Sequence, residues 1–148
     1  MQTRQRGTAI VEFALVLPLL LLLTMITTEF GRAIYQYNTI VKSVRQATRY
    51  LSLQTPTTKT TEAQNLVKFG NLTGTPSVPL VLGIDGTTVS ITPTWQLQGS
   101  DPVINTVTIT VSGYKFRPLF ASVFGVTFSD GNGDISFGNI SATMRCSS

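Results

Sequence analysis

From Thr8 to Thr28 the chain carries a single charged residue, Glu12, in a run dominated by Leu, Val, Ile, Ala and Phe. As a helix this run extends about 31 Å, close to the roughly 30 Å hydrocarbon thickness of a bilayer. Two arginines and no acid precede it in "MQTRQRG". Basic residues ahead of a spanning helix stay cytoplasmic, so a single pass is expected, with the C-terminal part on the far side of the membrane. Glu12 is the anomaly, because an acid in the bilayer interior costs about 2–3 kcal/mol or more and by default marks a function.

Apolar residues make up 42% of the chain and charged residues 12%, and the excess apolarity is local: beyond about residue 54 the sequence is rich in Thr, Ser, Gly and Pro. With 148 residues there is room for one small domain and an appendage. The net charge of +4 does not come from a basic block, since Arg4 and Arg6, then Lys42, Arg45 and Arg49, then Lys115 and Arg117 are widely separated. Without a basic stripe interleaved with aromatics, no nucleic-acid partner is expected. There is no histidine and one cysteine, Cys146, which excludes a conventional catalytic triad and a Cys/His metal site. No phosphate-loop or dinucleotide signature occurs, so neither a cofactor nor an enzymatic activity is expected.

Three fates are open to the N-terminal segment. A secretory signal would be cut after the apolar run, at small residues, but the run ends "TMITTEFGR", a poor match. An uncut anchor fits the length and charges and leaves Glu12 unexplained. The third is a cut ahead of the apolar run.

The stretch "RGTAIVEFALVLPLLLLL", followed by "TEFGR", resembles the TadE-like proteins, minor pilins or pseudopilins of bacterial tight-adherence (Tad, or Flp-type) pili. The likeness lies in a Gly after basic residues, Glu12-Phe13 five and six positions later, "ALVLP", a leucine run and Glu-Phe-Gly. It covers about residues 6 to 50, with weaker echoes in "RQATRYL", "YKFRP" and "SATMR". The resemblance implies cleavage between Gly7 and Thr8 by a membrane-embedded prepilin peptidase, leaving the apolar helix attached and Glu12 as the fifth mature residue. It further implies that Glu12 and Phe13 serve recognition and assembly, Glu12 pairing with the new Thr8 amine of a neighbouring subunit. Opposite charges in a low-dielectric setting offset each other's desolvation when both are present. The implied partners are the peptidase, other pilin or pseudopilin subunits, an inner-membrane assembly platform and the lipid bilayer. A simpler reading places Glu12 at the cytoplasmic interface near Arg4 and Arg6.

Pro18 deprives the Ala14 carbonyl of its helical partner, so a kink is expected there. Beyond the membrane, Phe30, Ala33, Ile34, Tyr37, Val41, Val44, Thr48 and Leu51 describe one helical stripe, and Lys42, Arg45 and Arg49 group on another face. The expected organisation is a leader at 1–7, a long helix at 8–53 that crosses the membrane over about 8–28, and an extracytoplasmic head at 54–148.

In the head, "LQTPTTKTT" reads as a break and "TEAQNLVKFG" as a short helix entered through Thr60 or Thr61 and ended at Gly70. "NLTGTPSVPLVLGIDG" reads as a loop. "TTVSITPTW" alternates as an edge strand demoted by Pro93. "NTVTITVSGYKF" buries Val107, Ile109 and Val111, then switches parity to Tyr114 and Phe116, which predicts a bulge near Gly113. "GNISATMRCS" sets Ile140, Ala142, Met144 and Cys146 on one face, making Cys146 a small buried apolar residue. "PLFASVFG" is expected to form a turn of helix. The predicted fold is α+β, with the distal half of a membrane-spanning helix packed on a small antiparallel sheet, similar to the type IV pilin plan.

One metal candidate remains. Asp130, Asn132 and Asp134 alternate as calcium ligands would, but Ile135 stands where the loop needs Gly and Ser141 where it needs Glu, so a tight turn explains the same residues. The functional expectation is a minor pilin or pseudopilin-like subunit. The alternative is an unprocessed, membrane-anchored binding module of the cell envelope.

Overall fold

The computed structural model describes residues 5–119, 122–123, 126–127 and 134–147. Helix α1 runs from Gln5 to Ser52 without interruption, passing through Pro18. Its 48 residues make a rod of about 72 Å. From Gly7 to Leu21 the residues of α1 are exposed, and the distal half carries the core.

That core face is set by Ile40, Val44, Ala47 and Leu51, with Ser43, Thr48 and Ser52 buried among them. The steps of three and four place them on one stripe. The stripe differs from the predicted one. Phe30 and Ile34 are exposed, Phe30 by 66%, while Ile40 and the small Ser43 and Ala47 lie inside. Apolarity close to the membrane therefore does not report on packing against the head. The small residues let neighbouring elements approach the helix backbone: the Thr48 hydroxyl donates 2.8 Å to the Val44 carbonyl and lies 3.4 Å from the Ala142 carbonyl of the sheet. Lys42, Arg45 and Arg49 are exposed on the opposite side, as their spacing predicts.

Helix α2, Thr60–Phe69, packs Ala63 and Val67 against α1. It starts differently from expectation: its N-cap is Lys59, in a left-handed conformation with φ 56°, and no side chain caps it. Glu62 in the first turn favours the positive helix end, and Lys59 Nζ donates to it at 2.9 Å. That contact lowers the Glu62 carboxyl pKa and raises that of the Lys59 amine. Gly70 ends the helix at φ 72°, its N–H donating to Leu66 O at 3.1 Å. The following loop contributes Val81 and Ile84 to the core.

Strands β1 (Ser90–Gln98), β2 (Ile104–Ser112) and β7 (Ile140–Arg145) form an antiparallel sheet in the order β1-β2-β7. The register aligns Ile91, Val111 and Ile140 in one row and Trp95, Val107 and Met144 in another. These rows and Ile109 face the helices. The outer face aligns Thr92 with Thr110 and Ser141, and Thr94 with Thr108 and Thr143. Pro93, which cannot donate to a ladder, lies on the edge strand β1 as predicted. Cys146 is buried beyond the end of β7, its N–H donating to Asn105 O at 2.8 Å.

The parity switch after Val111 is resolved by a break and not by a bulge. Gly113 adopts φ +75°, and a Cβ there would collide with the Thr88 carbonyl oxygen. The chain turns at Gly113 and β3 (Lys115–Phe116) pairs with β6 (Ile135–Ser136) in a separate ribbon, still burying Tyr114 and Phe116. Within "PLFASVFG", Ser122–Val123 is a strand, β4, paired with β5 (Val126–Thr127), and not a turn of helix, while residues 120–121 and 124–125 lie outside the described residues. Val and Thr favour the extended backbone that this hairpin requires. The molecule is thus α+β, a long helix packed by its distal half on a small antiparallel sheet.

Candidate assembly surface

The predicted processing and assembly residues occupy the first turns of α1. Gly7 is helical, and nothing lies within 4 Å of the point where a Cβ would sit. A glycine inside a helix costs about 1 kcal/mol relative to alanine. Among the described residues no packing demands that glycine. Thr8 and Glu12 are four residues apart, so they share a face about 6 Å apart along the axis. Both are exposed, as is Phe13.

From Ile10 to Leu23 the large apolar side chains are exposed around the circumference, apart from the half-buried Leu22. The stretch has a mean hydropathy of 2.6 in its most apolar window, and none of that window is buried. A helix apolar on all sides requires an apolar surrounding. The apolar N-terminal helix fits membrane anchoring.

A second constellation joins helix to head and was not assembled from sequence. Arg32 Nη1 donates to both carboxylate oxygens of Glu29 at 2.9 Å, and the Leu119 N–H donates to Glu29 Oε1 at 3.0 Å. The Arg32 guanidinium carbon lies 5.5 Å from the centroid of the Phe116 ring. Phe116 stacks on Phe137, which also meets Tyr37 edge-on and Tyr114 at a tilt, with centroids 5.6 to 6.3 Å apart. The Tyr114 hydroxyl, 2.8 Å from Gln36 Oε1 and 3.2 Å from the Leu82 carbonyl oxygen, shares its proton between them. Burial raises the Tyr114 pKa, and the positive charge of Arg32 opposes that shift. The available signal in the sequence was the i,i+3 pairing of Glu29 and Arg32 within "TEFGR". Their partners Phe116 and Leu119 lie 84 and 90 residues further along the chain and could not be read.

Beside this cluster a groove of about 470 Å³ separates Thr28, Gly31 and Tyr35 of α1 from Leu80 and Leu82. Of the calcium candidates, Asp130 and Asn132 lie outside the described residues. Asp134 Oδ1 lies 3.6 Å from Arg117 Nε. Among the described residues no group of three His, Cys, Asp or Glu is placed to hold a metal.

The exposed apolar helix, with its Gly7 to Glu12 spacing, is where the comparison with known proteins decides. Residues 7–49 match the TadE-like protein family. The TadE-like match covers less than a third of the chain, begins at Gly7 and ends three residues short of the end of α1. The likeness is confined to that helical segment. No curated protein and no solved structure gives a match.

Proposed function

We propose that this chain is a minor pilin or pseudopilin-like structural subunit for the assembly of Tad-type pili. In this reading a prepilin peptidase cuts between Gly7 and Thr8, and the subunit waits in the bacterial inner membrane with its head on the extracytoplasmic side. The observation that carries the reading is the exposed, all-round apolar TadE-like helix with one carboxylate, Glu12, a turn beyond a glycine that the fold does not need.

The physics follows from the cut. Removing residues 1–7 takes away Arg4 and Arg6 and creates an α-amine on Thr8, which is a cation at neutral pH. Between Arg6 and Arg32 the chain contains no Lys or Arg. After processing, the nearest cation that can enter the bilayer beside Glu12 is a terminal amine. A helix sliding past its neighbour by about one turn sets one subunit's amine against the other's carboxylate. Each charge then offsets the other's desolvation, which gives the assembly a register as well as an attraction. The exposed apolar faces of the two helices pack together in place of lipid.

Replacing Glu12 by Ala tests this. The variant is expected to insert and be cut normally but to be lost from sheared pilus or pseudopilus fractions. Undiminished incorporation would contradict the role given to Glu12.

A further inference from the structure

We propose that the membrane-proximal end of the head is itself a lipid-contact surface, seated among phospholipid headgroups through Leu119, with Tyr35 and Leu82 just above it. This rests on α1 crossing a bilayer as proposed above. The argument is one of height. Glu29 lies 21 residues beyond Thr8, and at 1.5 Å per residue that is about 31 Å, just outside a hydrocarbon layer of about 30 Å. The headgroup layer occupies roughly a further 5–7 Å on each side. Leu119 is fixed at that depth, because its N–H donates to Glu29 at 3.0 Å, yet its side chain is 69% exposed. Leu82 is tied by its carbonyl, through Tyr114, to Gln36. Gln36 is seven residues past Glu29, or about 10 Å higher, a few ångströms outside the headgroup layer. The Leu82 side chain is 66% exposed and Tyr35, beneath it on α1, is 71% exposed.

Two leucines left out of the core at one end of a small head call for an explanation, and lipid supplies it at this height without a further partner. The surrounding chemistry agrees. Tyrosine is favoured at the interface, where its ring is apolar and its hydroxyl is wet. From Asn71 to Ile84 the chain has no charged residue, so this loop carries no charge to oppose contact. Arg32 and Arg117 lie at the same end, paired with Glu29 and Asp134. The groove between Tyr35 and Leu82 opens there, and a Cβ at Gly31 would meet nothing within 4 Å.

The experiment uses the full chain carrying Cys146→Ala and one new cysteine, Leu119→Cys, Leu82→Cys, Leu20→Cys or Leu97→Cys, each bearing a nitroxide. The proteins are reconstituted in vesicles of phosphatidylethanolamine and phosphatidylglycerol, and collisions with oxygen and with a water-soluble nickel chelate are compared. The expected result is an oxygen-to-nickel ratio at Leu119 several-fold above that at Leu97, with Leu82 between them and Leu20 highest. A Leu119 ratio equal to that at Leu97, with Leu20 still oxygen-rich, would overturn the lipid contact and leave the spanning helix standing. A water-exposed Leu20 would remove the spanning reading and this inference with it. Shielding of Leu119 from both reagents would also overturn it, in favour of a second copy of the chain on this surface.

Discussion

Glu12 and Glu29 are the two acids of the TadE-like segment, and the chain treats them differently. Glu29 receives Arg32 and the Leu119 N–H from its own molecule, which fixes helix to head. Glu12 stands on an exposed apolar helix whose sequence offers no cation between Arg6 and Arg32. Gly7→Val is accordingly expected to leave the head folded while an uncut precursor accumulates in the membrane, seen as a larger band on a gel. Normal trimming of that variant would count against the proposed site. Gly113→Ala acts elsewhere: its positive φ and the Thr88 carbonyl leave no space for a methyl. It should destabilise the head by about 2 kcal/mol or more, read as a lowered midpoint in chemical denaturation in detergent. Tyr114→Phe removes hydrogen bonds to Gln36 and the Leu82 carbonyl, a loss of about 1 kcal/mol. Because burial raises the Tyr114 pKa above its unfolded value, the folded chain holds the proton more tightly. The stabilisation is therefore complete below the unfolded value near 10 and is lost as pH rises through the folded one. Tyr114→Phe should flatten that alkaline decline in a series of denaturation curves.

Among the elements, α1 divides by what surrounds each half. Leu51→Ala in its buried stripe is expected to cost about 2–5 kcal/mol by opening a cavity against the sheet. Phe30→Ala should change head stability by less than about 0.5 kcal/mol, because that residue is largely exposed. Thermal melts of the two variants in one detergent separate these expectations. The same division explains what could be read in advance. Alternation exposed the inner faces of β1, β2 and β7 directly, since Val107, Ile109 and Val111 on one side and Thr106, Thr108 and Thr110 on the other leave one choice of face. The helical stripe was read one step off because apolar size was counted as burial. Ser43 and Ala47 are inside for being small, and Phe30 is outside for being near the membrane. The β3–β6 ribbon was hidden because two-residue strands carry no period, and their pairing depends on a turn at Gly113 that also suits a bulge.

At the scale of the whole molecule, an unburied apolar rod runs on into a distal half that shares one core with the head, and the Glu29–Arg32–Phe116 contacts mark the junction. The rod was legible from composition, charge and the resemblance at Glu12. The junction was not, since it brings together residues separated by most of the chain. This architecture suits a subunit stored in one apolar environment, the bilayer, and transferred to another, the bundled helices of a pilus. In the proposed function that transfer depends on what the N-terminus becomes. The most direct test is intact-mass and N-terminal peptide mass spectrometry of the protein purified from bacterial membranes that contain a prepilin peptidase. The account predicts a chain that begins at Thr8 and retains the whole of α1 from there to Ser52. A chain that still begins at Met1, or one cut near residue 28 so that the apolar helix is gone, would contradict it.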